Sequence, residues 1–243
     1  REVLTVVKTA VNKSYELGGR VTYVISLSNS GTVALTGLTL TDDLGGYAFG
    51  GTTLYPLAYV EGSLRYFQNG VLQDMPAVVA GPPMTVTGVT VPAGGSALVV
   101  YETAVTRYTP MAAESTVTNT VTVTGGGLAE AVTAQETVGV ASGSRLSVCK
   151  SLSPTVVAEN GQLTYTFTVQ NRGNTAVTAA DDVTLRDVFK PILKNITVTY
   201  NGTAWSAGTE YTYSETTGEF VSAVGQITVP AADAAERILA DIE

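Results

Sequence analysis

The chain has no histidine at all among its 243 residues, a single cysteine and a single tryptophan. Without histidine, the commonest general base, the usual serine and cysteine triads and most zinc and copper sites are excluded. One cysteine, Cys149, excludes an intrachain disulfide, and no histidine or basic cluster beside it in sequence marks it as a reactive thiol. Basic residues are also scarce. Lys and Arg number 13 against 21 Asp and Glu, giving a net charge of −8, and no basic run offers a surface to nucleic acid or an anionic membrane. No apolar run is long enough to span a bilayer, and the segment at Arg1 does not read as a signal peptide.

What is abundant is valine, threonine, alanine and glycine, with only 14% charged residues. Val and Thr suit half-buried strands, so the chain reads as all-β. Short alternating segments are separated by turn signals at Gly18-Gly19, Asn29-Ser30-Gly31, Gly45-Gly46, Asn69-Gly70, Gly81-Pro82-Pro83 and Gly94-Gly95. That spacing points to a β-sandwich.

The chain is also internally duplicated. LTVVKTA (Leu4 to Ala10) returns as LSVCKSL (Leu146 to Leu152), and VTYVISLSNSG (Val21 to Gly31) returns as LTYTFTVQNRG (Leu163 to Gly173). LTLTDDL (Leu38 to Leu44) matches VTLRDVF (Val183 to Phe189) after a short insertion near Ala179 to Asp182, and VTVPA (Val89 to Ala93) matches ITVPA (Ile227 to Ala231). Two tandem sandwiches are therefore expected, residues 1–141 and 142–243, joined through the linker-like GVASGSR (Gly139 to Arg145). The second lacks a counterpart of VTNTVTV (Val117 to Val123), which is expected to pair with residues 131–138 as a hairpin. The closing AADAAERILADIE has a helical composition, but its place in the repeat corresponds to Ala97 to Val105, which favours a strand, so its type stays open.

Leu-x-Val-x-Lys, Gly-x-x-Val/Leu-Thr-Tyr followed by Asn-x-Gly, Leu-x-Leu-x-Asp and a late Thr-Asn-Thr-Val-x-Val stand here in that order, and most of them recur. The set resembles a conserved-repeat family of bacterial surface proteins, a domain family of unknown function. The resemblance implies an immunoglobulin-like sandwich, export and tandem display on the envelope of a Gram-positive cell. The family establishes no ligand; a host or cell-wall surface protein or glycan is the partner expected of such a module. In that family the aspartate is commonly followed by a Thr-Leu-Pro turn. Here Asp42-Asp43-Leu44-Gly45 must turn differently.

Three polar residues fall on apolar strand faces. Lys8 shares parity with Leu4, Val6 and Ala10, Asp42 with Leu38, Leu40 and Leu44, and Asn119 with Val117, Val121 and Val123. A lysine aimed into a core is costly unless something neutralises it. Lysine, carboxylate and carboxamide together are the parts of an intramolecular isopeptide bond, of the kind that related pilin and adhesin domains use. Desolvation favours the neutral amine as nucleophile, and a protonated carboxyl polarises the carboxamide and passes a proton to the departing ammonia. The plainer alternative is a buried Lys8–Asp42 ion pair. Glu102 is a rival acid, because Leu98, Val100, Glu102 and Ala104 share a parity, but Asp42 is preferred because Asp187 repeats it. In the second repeat Lys150 and Asp187 are the counterparts, with no asparagine partner, so Lys150 is expected to stay a free amine.

Asn29 and Asn171 precede x-Gly and read as turn residues, and Tyr23 and Tyr165 as core or corner tyrosines. Adjacent acids at Asp42-Asp43 and Asp181-Asp182 lack the oxygen-rich loop of a calcium site, so no metal and no cofactor are expected. The expected function is a non-enzymatic, monomeric stalk or adhesin module outside the cell. The alternative is a glycan- or host-protein-binding module that uses the aromatic-rich insertion at residues 47–67, with Tyr47, Phe49, Tyr55, Tyr59, Tyr66 and Phe67.

Overall fold

The computed structural model describes residues 3–232, and the closing stretch AADAAERILADIE lies, from residue 233 on, outside the described residues. The fold is all-β, as the Val/Thr composition requires, and it divides into two compact units at Ala141/Ser142. Among the described residues, the first unit carries fourteen strands: β1 (Leu4–Ala10), β2 (Ser14–Tyr15), β3 (Arg20–Asn29), β4 (Leu35–Asp42), β5 (Tyr47–Phe49), β6 (Thr52–Leu54), β7 (Leu57–Tyr59), β8 (Arg65–Gln68), β9 (Val71–Gln73), β10 (Ala77–Val79), β11 (Met84–Val91), β12 (Ser96–Val105), β13 (Thr116–Gly125) and β14 (Val132–Val140). The second unit carries β15 (Leu146–Ser153), β16 (Thr164–Asn171), β17 (Arg186–Val188), β18 (Val198–Tyr200), β19 (Thr203–Trp205), β20 (Tyr211–Tyr213) and β21 (Glu219–Ser222).

The first unit is a two-sheet immunoglobulin-like sandwich. One sheet runs β1-β3-β12-β8-β9 with β7 also on β12, and the other runs β10-β11-β4-β13-β14-β2. Alternation decides which side faces in: Val21, Tyr23, Ile25 and Leu27 of β3 are buried, as are Leu38 and Leu40 of β4 and Val121 and Val123 of β13. Each such aliphatic side chain taken from water contributes roughly 1.5–3 kcal/mol, so the packed interior is what holds the sheets together. Along one side the sheets are tied by Glu136 on β14, which accepts a hydrogen bond from the backbone N–H of Ala10 at 2.9 Å and pairs with Lys13.

Two details follow the sequence closely. VTNTVTV lies in β13, whose hairpin partner β14 is in register from Thr116 opposite Gly139 to Val123 opposite Val132. Asn29 and Asn171 are turn residues: Asn29 Oδ1 accepts from Gly31 N at 2.9 Å, and Asn171 Oδ1 from Gly173 N at 2.8 Å.

β12 departs from expectation. Ala97, Val99, Tyr101 and Thr103 face the core, whereas Leu98, Val100, Glu102 and Ala104 take the other face. LVVYETAV is apolar on both parities, so alternation alone left the choice undetermined.

In the second unit β15 pairs β16, β17-β21-β20 form a three-stranded sheet and β18 pairs β19. Its buried cluster is aromatic, with Phe189, Tyr211 and Phe220 at the centre and Tyr165 and Phe167 packed against them. Among the described residues, β16 has no strand on its other edge and β17 lies at the edge of its sheet.

A candidate site for autocatalytic cross-linking

Lys8, Asp42 and Asn119 all point into the first sandwich and are 3%, 3% and 0% exposed. Lys8 Nζ donates to Asp42 Oδ2 at 2.7 Å. Asp42 Oδ1 accepts from the backbone N–H of Leu44 at 2.8 Å, and the Tyr101 hydroxyl donates to Oδ2. The lysine also stands over two rings, 4.8 Å from the centroid of Tyr23 and 5.9 Å from that of Tyr101.

Strand register brings Asn119 to this pair. Asp42 on β4 lies opposite Val121 on β13, and Asn119 is two residues earlier on the same face. The turn after Asp42 fixes that register. Asp43 N donates to Thr120 O at 3.0 Å, and Asp43 Oδ1 accepts from Thr120 N and from Gly45 N, each at 2.9 Å. Gly45 has φ +73, and a Cβ there would meet Val117 Cγ1 at 2.7 Å, so glycine lets the turn press against β13. This is how Asp42-Asp43-Leu44-Gly45 turns without proline.

The electrostatics follow from burial. Removal from water lowers the Lys8 pKa below its ordinary value, and the neighbouring Asp42 offsets this only in part. Burial also pushes the Tyr101 and Tyr23 phenols well above their usual range. The nearby Asn119 amide pulls Tyr23 slightly the other way, although the two groups do not meet hydrogen-bond geometry. Both polar atoms of the Asn119 carboxamide, Nδ2 and Oδ1, are buried with no hydrogen-bond partner. Such an orphan costs about 1–3 kcal/mol per group, and in a native structure it calls for an explanation.

Glu102 is not the acid of this site. Its side chain is 40% exposed on the outer face of β12 and pairs with Arg20 at 2.9 Å, because β12 takes the opposite parity to the one expected. That parity instead delivers Tyr101, directly opposite Tyr23, to the carboxylate. Tyr101 and Asp43 are thus the residues that sequence reasoning missed. Asp43 was readable only as an acid in a turn, and its bonds to Thr120 are tertiary.

In the second unit Lys150 pairs with Asp187 at 2.6 Å and stands 4.7 Å from the centroid of Tyr165, so the repeated lysine, carboxylate and tyrosine are together again. Here the lysine side chain is 40% exposed and the carboxylate 20%. Val188 stands where the first unit has Asp43, and among the described residues no asparagine strand lies beside β17.

The aromatic insertion is mostly folded inward. Tyr66 is buried and its hydroxyl exchanges hydrogen bonds with the Thr90 backbone, Tyr55 and Tyr59 pack against the core, and Phe49 is 64% exposed. Among the described residues no group of acids, cysteines or histidines is placed to hold a metal ion, and no helix is long and apolar enough to cross a membrane.

No protein-family model and no curated protein sequence matches the chain. Solved structures do show likeness. The pilus backbone protein RrgB of Streptococcus pneumoniae is 13% identical with a TM-score of 0.39, over 50% of this chain and 31% of that one. BcpA, the major pilin subunit of Bacillus cereus, is 11% identical with a TM-score of 0.40, over 83% of this chain and 51% of that one. A family 123 glycoside hydrolase from Clostridium perfringens is 10% identical with a TM-score of 0.37, over 58% and 27%. The chain thus spans about half or less of the length of each, and at these values the likeness carries nothing about function.

Proposed function

We propose that the chain is a non-enzymatic structural module of a cell surface, a stalk or adhesin segment whose first sandwich is locked by a self-formed isopeptide bond between Lys8 and Asn119. The observation that carries this reading is the fully buried Asn119 carboxamide without a hydrogen-bond partner, on the strand paired with that of Asp42, whose ion-pair partner Lys8 burial biases toward the neutral amine.

The reaction needs no outside reagent. A proton moves from Lys8 to Asp42 along their 2.7 Å hydrogen bond, leaving a neutral amine and a carboxylic acid. Nζ attacks the side-chain carbonyl carbon of Asn119, whose oxygen is polarised by the acid. The Nζ–C bond forms, the C–Nδ2 bond breaks, and the proton lost by Nζ leaves with Nδ2 as ammonia by way of Asp42. A buried charge is replaced by a neutral amide, which removes the desolvation penalty that a buried ion pair carries.

The mechanical consequence supports a role under tension. The bond joins the first strand to a late one and closes a loop of roughly 110 residues, which by analogy with a disulfide stabilises by about 4–5 kcal/mol. A strand tied in this way cannot peel from its sheet, which is kinetic stability. Single-molecule pulling on the ends of the chain tests the reading. Extension from the first unit should stop short by the length of the closed loop, and release of its full contour length would contradict a role under tension.

A further inference from the structure

We propose that Tyr23 is a catalytic residue of the cross-linking reaction, its hydroxyl donating a hydrogen bond to the Asn119 side-chain oxygen while that oxygen carries negative charge. The proposal rests on the Lys8–Asn119 reading and assigns the group that receives the charge of the tetrahedral intermediate.

The observation is a cluster of unpaired buried atoms. Among the described residues of the first unit, four buried side-chain polar atoms lack a hydrogen-bond partner, and three of them are Tyr23 Oη and the Nδ2 and Oδ1 of Asn119. Both residues are 0% exposed. A buried phenol usually finds an acceptor, and other buried tyrosines of this unit do: Tyr15 donates to Pro110 O and Tyr66 to Thr90 O, each at 2.6 Å, and Tyr101 donates to Asp42. An unpaired buried hydroxyl is a cost that phenylalanine would not carry.

Strand pairing puts this hydroxyl at the reacting groups. Tyr23 on β3 lies opposite Ala10, two residues from Lys8 on the same face of β1, and opposite Tyr101 on β12. Lys8 Nζ is 4.8 Å from the centroid of the Tyr23 ring, and Tyr101, whose ring centroid is 6.0 Å from that of Tyr23, holds Asp42. Burial pushes the Tyr23 phenol well above its usual range, so it keeps its proton, and the Asn119 carboxamide on the facing sheet is near enough to pull it slightly back.

An unpaired donor beside an unpaired carboxamide suits a charge that exists only during the reaction. As the Nζ lone pair adds to the Asn119 side-chain carbon, the C–O π pair moves onto Oδ1, and the carbon turns from planar to tetrahedral, which displaces that oxygen. Donors that serve such an oxyanion are placed for its position and not for that of the ground-state carbonyl, and a bond made only there speeds the step. When the electron pair returns to re-form the carbonyl, the C–Nδ2 bond breaks and ammonia leaves by way of Asp42. Tyr23 gives up no proton at any stage.

The test follows ammonia loss by intact mass in the full chain, made in a cell-free system and sampled over time, as wild type and as Tyr23→Phe, which keeps the ring over Lys8 and removes only the hydroxyl. We expect Tyr23→Phe to form the Lys8–Asn119 link about 10²–10³-fold more slowly than wild type, the loss typical of one oxyanion donor. Stability is compared where no link forms. Tyr23→Phe combined with Asn119→Ala is expected to unfold at no lower denaturant concentration than Asn119→Ala alone, because the hydroxyl has no partner to lose. Ammonia loss at the wild-type rate in Tyr23→Phe overturns the proposal, and so does a slow rate accompanied by a weakened double variant, which makes Tyr23 structural. A wild type that loses no ammonia defeats the Lys8–Asn119 reading itself, whereas a wild type and a Tyr23→Phe that link equally fast defeat this inference alone.

Discussion

Lys8 Nζ and Asp42 Oδ2 lie 2.7 Å apart with side chains 0% and 4% exposed, so an ammonium and a carboxylate share a space almost closed to water. Burying such a pair is expensive, and the attraction between its members rarely repays the whole cost. Asn119, whose amide has no hydrogen-bond partner, stands on the adjoining strand two residues from the one opposite Asp42, and the cross-link proposed above, begun by transfer of one proton within the pair, would remove both charges.

Replacing Asp42 by alanine removes the proton carrier and leaves Lys8 without its partner. The variant is expected to retain the unmodified mass and, in chemical denaturation, to be less stable by about 3–5 kcal/mol than Asn119→Ala, which also lacks the bond but keeps the buried pair. Loss of ammonia in Asp42→Ala would show that the carboxylate is not needed.

The depressed Lys8 pKa has a sign that can be measured when the bond cannot form, as in Asn119→Ala. The folded state then holds the lysine proton less tightly than the unfolded chain, whose lysine titrates near its ordinary 10.5. Folded molecules therefore bind fewer protons between the lowered value and 10.5, and stability rises with pH across that window. Below the lowered value the penalty is fully present. The raised tyrosines act the opposite way above their ordinary 10.0 but are common to both proteins. The stability gap between wild type and Asn119→Ala is expected to narrow as pH rises toward 10. A gap that does not change with pH would mean that Lys8 is not held against its charge.

Asp43 and Glu102 separate positioning from decoration. Asp43→Ala removes two hydrogen bonds from one carboxylate oxygen, to Thr120 N and Gly45 N, and is expected to cost about 2–3 kcal/mol and to slow bond formation in a mass time course. Glu102→Gln breaks only an exposed pair with Arg20, is expected to cost less than about 1 kcal/mol, and should leave the time course unchanged.

The fold was legible because alternation is strong in β3 and β13, where one face is mostly apolar and the other mostly threonine or serine. Lys8, Asp42 and Asn119 were legible for the same reason: each interrupts an apolar face. β12 was not, since Leu98, Val99 and Val100 make both of its faces apolar, and only pairing of Tyr101 with Tyr23 decides its register. That one undetermined parity hid Tyr101 and promoted Glu102. Asp43 was hidden for another reason, because its value lies in its bonds to Thr120, far away in sequence. In the second unit the lysine, the carboxylate and the lack of a β13 counterpart among the described residues were readable from the repeat, but the partial exposure of Lys150 and Asp187 was not, because it depends on how the strands pack.

The most direct measurement is the intact mass of the purified chain, with Lys8→Ala and Asn119→Ala alongside. The account predicts that the wild type is lighter than its sequence by one ammonia, that digestion yields a branched peptide joining Lys8 to Asn119, and that each variant has its unmodified mass. A wild-type mass equal to that of the unmodified sequence would contradict it and leave Lys8 and Asp42 as a buried ion pair.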